Sequence, residues 1–239
     1  MSTRPLSTGG VPRIAPIRRE RARARTSDRV YDELVSAIRN LRIPPGASLS
    51  ETDLSAQLEV SRTPLREAIA RLVDNGLVSV VPQVGTRVER IRLQDVEEAR
   101  FVREALELAA FAAACERPDR DVNTMRILIT EQERCHASHD LSAFFAADEA
   151  LHQQIFVLSG HSGIWTMMQP IKLQLDRLRR LSLPEPDMVR ELIDEHTAIV
   201  DSLEVGDIEG GQTLLRAHVN RVRRYGPMLR EQHPDYFAD

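Results

Sequence analysis

Glu59-Val-Ser-Arg-Thr-Pro-Leu-Arg-Glu-Ala-Ile-Ala-Arg-Leu-Val-Asp-Asn-Gly76 decides how the rest of the chain is read. It predicts a short turn, a capped amphipathic helix and a glycine stop. Ser61 or Thr63 can cap the start, and Pro64 suits a first turn, where its missing N–H is not needed. Leu65, Ile69, Leu72 and Val73 recur at helical spacing and make a buried stripe. Arg62 and Arg66 are four residues apart and project from one face beside that stripe. Gly76 ends the helix. A helix with an apolar back and guanidinium groups near its N-terminus is built to meet anions, and its neighbours decide which anions.

On the N-terminal side, Asp28 to Leu41 forms a helix with Val30, Leu34, Ile38 and Leu41 on one stripe, stopped by Pro44-Pro45-Gly46. Ser50 and Asp53 make a capping box for a second helix that turns Leu54 and Leu58 inward. On the other side, Leu77 to Val81 is a β-branched run, Pro82-Gln83-Val84-Gly85 turns it, and Thr86 to Ile91 returns as a second strand. Three helices followed by a β-hairpin make a winged helix-turn-helix, in which the third helix enters the major groove of DNA. Before it, residues 1–26 carry Gly, Pro and Ser punctuation and then Arg18, Arg19, Arg21, Arg23 and Arg25, the pattern of a disordered basic arm.

Charge agrees with that reading. Residues 1–92 hold 16 arginines against 10 acidic residues; the remainder holds 15 arginines and the single lysine, Lys172, against 26 acidic residues. The overall charge of −4 therefore hides a basic first third on an acidic body, which points to a polyanion partner for that third alone. No apolar run approaches the roughly 20 residues of a membrane span, and no secretory signal is visible. Cys115 and Cys135 stand far outside any CxxC spacing and read as reduced thiols in a cytoplasmic protein.

The combination of Pro44-Pro-Gly46, Leu49-Ser-Glu51, Val60-Ser-Arg-Thr-Pro-Leu-Arg-Glu-Ala68, Asn75-Gly-Leu77 and Gly85 resembles the gluconate-repressor (GntR) family of bacterial transcription factors. The resemblance runs from about Asp28 to Ile91. It implies that Arg62 and Arg66 contact DNA, that Ser61 and Thr63 lie on phosphates, and that Gly85 stands at the wing tip. Thr52 replaces an arginine that touches DNA in some fatty-acid-responsive members, so their operator sequence does not carry over.

From Leu93 onward the punctuation is helical. Asp95 to Cys115 turns Val96, Ala99, Val102, Leu106, Ala109 and Ala110 inward. After Pro118, helices are expected at about 119–138, 141–159, 162–182, 187–204 and 207–231, an all-α bundle of six with a tail at 233–239. Pro170 is read as starting or kinking the fourth of these, and Gly206, Gly210 and Gly211 as punctuating the last connection.

Within the bundle, Asp148 and His152 leave one helical face, bordered by Leu151, Ile155 and Phe156. His196 sits among Ile193, Ile199, Val200 and Leu203; His218 sits among Leu214, Leu215, Ala217 and Val222. Three histidines and an aspartate on apolar-flanked positions are costly to bury without a common partner. Imidazoles with a carboxylate suit a divalent ion such as zinc, nickel or manganese, although each histidine alone reads first as a satisfied core or boundary residue. His136, His139, His161 and His233 fall near helix ends, in loops or in the tail.

Residues 93–232 resemble the FCD effector domain of the fatty-acid-regulator branch of the same family, through Arg103-x3-Glu107, Asp148-x3-His152, Glu195-His196 and His218. The six-helix count resembles the vanillate-regulator group within it. Members that keep the aspartate and the three histidines bind a divalent metal, so the resemblance implies Asp148, His152, His196 and His218 as ligands. It also places Arg103 over the cavity, where its fork can hold a carboxylate. An octahedral ion with four protein ligands keeps two open positions for a small carboxylate effector. His161 departs from the asparagine common after the serine-glycine.

The reading is a homodimeric transcriptional regulator, a repressor by default and not an enzyme. It binds double-stranded DNA at a palindromic operator, since a two-fold dimer demands a symmetric site. The alternative is a metal-dependent hydrolase using the same three histidines and aspartate, with Glu149 or Glu195 as its base. That alternative leaves the basic winged head without a purpose.

Overall fold

In the computed structural model, which describes residues 21–81, 85–184 and 186–238, the first third closes three helices on one apolar centre. Helices α1 (Arg21–Arg39), α2 (Glu51–Gln57) and α3 (Arg62–Asp74) bury Val30, Leu34, Ile38, Leu65, Ile69 and Leu72 together with Leu77, Val78 and Val88. Ser50 caps α2 as its sequence predicts, its hydroxyl oxygen accepting from the Asp53 N–H at 3.2 Å. Ser61 is the N-cap of α3 but makes no side-chain cap bond. Val73, expected in the stripe, is exposed, and Ala68 is buried instead. The stripe follows Leu65, Ala68, Ile69 and Leu72, and one step beyond Leu72 the helix has turned outward by about 100°.

Gly76 ends α3 with φ +65°, where Leu77 N–H reaches back to Leu72 C=O at 2.9 Å. Strand β2 (Val78–Val81) then pairs antiparallel with β3 (Gly85–Val88), in the register Val78 with Val88 and Val81 with Gly85. A short β1 (Ser48–Leu49) adds to the far edge of β3, so the expected hairpin is a three-stranded sheet ordered β1-β3-β2. The turn read at Pro82-Gln83-Val84 lies outside the described residues. So does most of the basic arm; its last residues, 21–26, are the opening of α1 rather than disordered.

The remainder is helical: α4 (Leu93–Cys115), α5 (Asn123–Ala137), α6 (Leu141–Leu158), α7 (Ser162–Met168), α8 (Leu173–Ser182), α9 (Pro186–Val205), α10 (Ile208–Asn220) and α11 (Val222–Gln232). Two expected helices are each broken in two. Residues 169–172 form a turn around Pro170, whose missing N–H cannot continue α7, and the last helix breaks at Arg221. The inward face of α4 carries Val96, Ala99, Arg103, Glu107, Ala110, Phe111 and Ala114. Val102 and Leu106 are only half-buried and Ala109 is exposed, contrary to the expected face. Gly210 and Gly211 belong to α10 rather than to its connection. A Cβ on Gly211 would lie 2.1 Å from the Phe111 ring, so glycine is what lets α10 rest on α4.

Helix α8 joins the two halves. Leu173 enters the apolar centre of the head, Gln174 Nε2 donates to Gly76 C=O at 3.3 Å, and Arg177 Nη2 donates to Glu89 C=O at 2.5 Å. The residues read as a tail form a strap: Ile91 N–H donates to Tyr236 C=O and Ala238 N–H to Ile91 C=O, with Phe237 buried beside Leu175 and Leu178. Among the described residues no helix is long and apolar enough to cross a membrane.

Candidate metal centre and nucleic-acid interface

Asp148 and His152 come from α6, His196 from α9 and His218 from α10, and each offers one ligand atom within 4.8 Å of the others. All four are buried. The ring centroids lie 4.7 to 5.3 Å apart.

What holds the rings is legible in their outer nitrogens. His152 Nδ1 is 2.8 Å from Glu107 Oε2, His218 Nδ1 is 2.8 Å from Glu195 Oε2, and His196 Nδ1 is 2.8 Å from Gln132 Oε1. A carboxylate only accepts, so the Nδ1 atoms of His152 and His218 carry the protons and donate. Their Nε2 atoms are then bare lone pairs, facing each other at 3.2 Å. His196 Nε2, buried, has no hydrogen-bond partner and stands 3.5 Å from Asp148 Oδ1. Lone pairs converging on a carboxylate oxygen in a dry core repel one another unless a cation lies between them. The donor set therefore fits a divalent metal bound through three neutral imidazoles and one carboxylate.

The electrostatics agree. Burial, with the nearby arginines adding to it, holds His196 down to about 3 and His218 down to about 4, and burial with Arg103 pushes His152 well below its ordinary value. Burial alone would raise Asp148, but the Arg179 guanidinium bonded to its Oδ2 outweighs that and holds the carboxyl far down. Near pH 7 the imidazoles are neutral and the aspartate is charged, the protonation states that metal ligation requires.

Around these four lies a shell of ion pairs. Arg103 Nε donates to Glu107 Oε1 at 2.6 Å, and Arg221 Nη1 to Glu195 Oε1 at 2.6 Å. Arg179 also donates to Glu149 at 2.7 Å. Lys172, fully buried, donates to both oxygens of Asp176 at 2.7 and 2.8 Å and to Glu149. A cavity of about 40 Å³ opens beside Asp148 and His218, lined by Arg103, Arg179 and the apolar side chains of Phe145, Leu175, Leu183 and Met188. Arg103 Nη2 is buried without a hydrogen-bond partner.

In the head, Ser61, Arg62, Thr63 and Arg66 are exposed at the start of α3, and Gly85 is exposed at the start of β3 with φ +110°. Arg66 Nε donates to Glu51 Oε2 at 2.8 Å. Thus the fold gathers the four predicted ligands at one point with Arg103 beside them, and gathers the four α3 residues on one surface. Gln132, Arg179 and Asp176 had no part in the sequence reading, and Lys172 entered it only as a charge. Gln132 had a signal: it is a lone amide in line with Met125, Ile129 and Cys135 on the buried face of α5.

A winged helix-turn-helix head set on an all-helical domain with a buried His/Asp cluster is the architecture of a two-domain, DNA-binding transcriptional regulator. The chain belongs to the gntR family of bacterial regulatory proteins: residues 26–88 match that family and residues 98–221 match the FCD domain. It is a transcriptional regulator of the type that joins these two domains. It is 37% identical to an uncharacterized HTH-type transcriptional regulator from an unstable DNA locus of Streptomyces ambofaciens, across 87% of this chain and 88% of that protein. It is 26% identical to the HTH-type transcriptional repressor RspR of Escherichia coli, across 89% of this chain and 94% of that protein. In fold it is similar to Escherichia coli McbR/YncC, with a TM-score of 0.73 at 23% identity over 87% of this chain and 98% of that one.

Proposed function

We propose that this chain is a homodimeric, cytoplasmic repressor whose grip on a palindromic operator is set by a small carboxylate bound at a divalent metal in the bundle. The observation that carries the reading is the convergence of the bare His152, His196 and His218 Nε2 atoms on Asp148, each imidazole oriented from behind by Glu107, Gln132 or Glu195. These four side chains would hold zinc, nickel or manganese, which supplies a Lewis-acidic anchor for a carboxylate. Arg103, with its free Nη2, would take the other oxygen of that carboxylate. Arg62 and Arg66 would meet base edges or phosphates, Ser61 and Thr63 phosphates, and Gly85 the wing's approach to DNA. The name of RspR as a repressor supports the sign of regulation.

Helix α8 supplies a route between the two sites. One side bears Arg179, tied to Glu149 and Asp148, and Asp176, tied to Lys172; the other bears Leu173, Gln174 and Arg177, tied to the head. A ligand that reorders Arg179 shifts α8 and with it the head. By linkage, effector that weakens operator binding must bind the operator complex correspondingly less well.

The test is metal analysis of protein purified with supplemented metal, beside fluorescence-anisotropy titration on the DNA upstream of its own gene. The expected outcome is about one metal per chain, and operator binding that prefers sequence and weakens with salt. Less than a tenth of a metal per chain would remove the metal, and binding without sequence preference at any salt would remove the regulator.

A further inference from the structure

The head and the bundle are joined through the chain by one short stretch, residues 89–92, between β3 and α4. That stretch is where a head would pivot, and its backbone is held at both ends. Glu89 N–H donates to Leu77 C=O at 2.8 Å, and Glu89 C=O accepts from Arg177. Two residues on, Ile91 forms a parallel bridge with Phe237 in the strap. Ile91 N–H donates to Tyr236 C=O at 2.8 Å, and Ile91 C=O accepts from Ala238 N–H at 2.9 Å.

The strap is locally braced to make that bridge. After α11 the chain makes one 3-10 turn, Pro234–Tyr236, in which Tyr236 N–H donates to His233 C=O at 2.9 Å. The His233 and Tyr236 rings stack with centroids 5.5 Å apart. The turn delivers Phe237 into one apolar cluster with Ile91, Val96, Leu175, Leu178 and Leu229, where it is 3% exposed. One ring thus closes the seam between the pivot, α4, α8 and α11. The strap also reaches the Pro44-Pro45-Gly46 turn of the head, since a Cβ on Gly46 would lie 3.7 Å from Asp235 C=O. Gln174 and Arg177 hold the head through side-chain donations; the strap holds the backbone of the pivot itself.

A regulator that reads two half-sites from one two-fold axis measures the distance and the twist between them. One extra base pair at the centre moves the half-sites apart by about 3.4 Å and turns one against the other by about 34°. A head free to swing at residues 89–92 would follow that change, and a head clasped there would not.

Resting on the homodimeric reading above, we infer that the strap of residues 233–238 sets the half-site spacing this regulator accepts, and that Phe237 is the residue that fixes it. Phe237 acts through Ile91 and is a positioning residue, not a reader of bases.

The experiment compares the full-length protein, Phe237→Ser and a chain lacking residues 233–239 by fluorescence anisotropy. The probes are the operator upstream of its own gene, the same operator with one base pair inserted at or removed from its centre, and an isolated half-site. In the full-length protein the altered spacings should weaken binding at least thirtyfold. In both variants that penalty should shrink at least fivefold, while half-site affinity stays within twofold. An unchanged penalty in a variant that binds the half-site normally overturns the inference, as does a full-length protein indifferent to spacing. Light scattering keeps the two readings apart: a monomeric full-length protein removes the homodimer and the inference together, whereas a dimer with an unchanged penalty removes the inference alone. If neither variant folds, amide exchange in the full-length protein decides. Ile91 and Ala238 N–H should exchange at least a hundredfold more slowly than in unstructured chain and at a common rate, and exchange at the unstructured rate overturns the clasp.

Discussion

Arginine is used in two ways in this molecule: exposed at the start of α3 in the head, and buried among oxygen acceptors around the His/Asp cluster and α8. In the head, Arg66 stands 63% exposed with one partner, Glu51, while Arg62 and Arg71 are also exposed. In the bundle, Arg103 and Arg177 are buried, as is the only lysine, and each is fastened to oxygen atoms of known position. A solvated pair such as Arg66 with Glu51 contributes little, about 0–1 kcal/mol, so the guanidinium can leave it for a phosphate or a base. A buried pair broken by loss of one partner costs about 3–5 kcal/mol, so these buried cations hold place and are not free to be traded. The same residue type makes a reading surface at one end and a fixed frame at the other.

That contrast can be broken by taking the frame apart. The largest effect is expected from His196→Ala or His218→Ala, each of which removes a ligand and should leave metal well below one per chain by elemental analysis, with a lowered melting temperature. Wild-type metal content in either variant would contradict the frame. Next comes acid. The folded-state pKa values of the three histidines lie below the ordinary 6.5, so the unfolded chain takes up protons first and metal-free protein loses stability as pH falls below about 6.5. By pH 5 the loss should reach about 2 kcal/mol per histidine, read as a lower urea midpoint than at pH 7.5. Equal midpoints would show that the rings are not buried neutral.

Smaller effects sharpen the comparison. Gln132→Leu leaves every ligand in place but frees the His196 ring to turn, and should weaken metal binding about 10- to 100-fold in a competition titration. Unchanged affinity would make Gln132 a packing residue. At the other end, Arg62→Ala or Arg66→Ala should cost about 1–3 kcal/mol of specific DNA affinity while leaving metal content and melting temperature alone. An equal loss on specific and random DNA would assign the side chain to phosphate.

The head was legible because its signals are local: the Ser50 cap, the Gly76 stop and the α3 stripe each concern residues within one or two turns. Short β1 was missed because Ser48–Leu49 becomes a strand only through pairing with Arg87 and Thr86, far along the chain. In the bundle, the four clustered residues were marked by histidine and aspartate among apolar neighbours. The frame behind them was not. Helix α8 reads as a charged surface helix, yet Leu173 to Leu178 are all buried, because it lies between the head and the ligand-bearing helices. Periodicity reports one apolar face, and a helix that buries leucines on some sides and ion pairs on another does not show a single one. The placing of Gly210 and Gly211 inside α10 is likewise tied to packing, Gly211 lying against Phe111 of α4.

If the fixed frame controls the free surface, the two must be coupled. The direct measurement is the operator affinity of metal-loaded protein, by fluorescence anisotropy, with and without a saturating amount of the small carboxylate that binds it best. The account predicts a change of at least fivefold, about 1 kcal/mol of coupling, together with an equal change in carboxylate affinity when operator is present. Operator affinity that stays the same within experimental error at saturation would mean that the bundle does not govern Arg62 and Arg66.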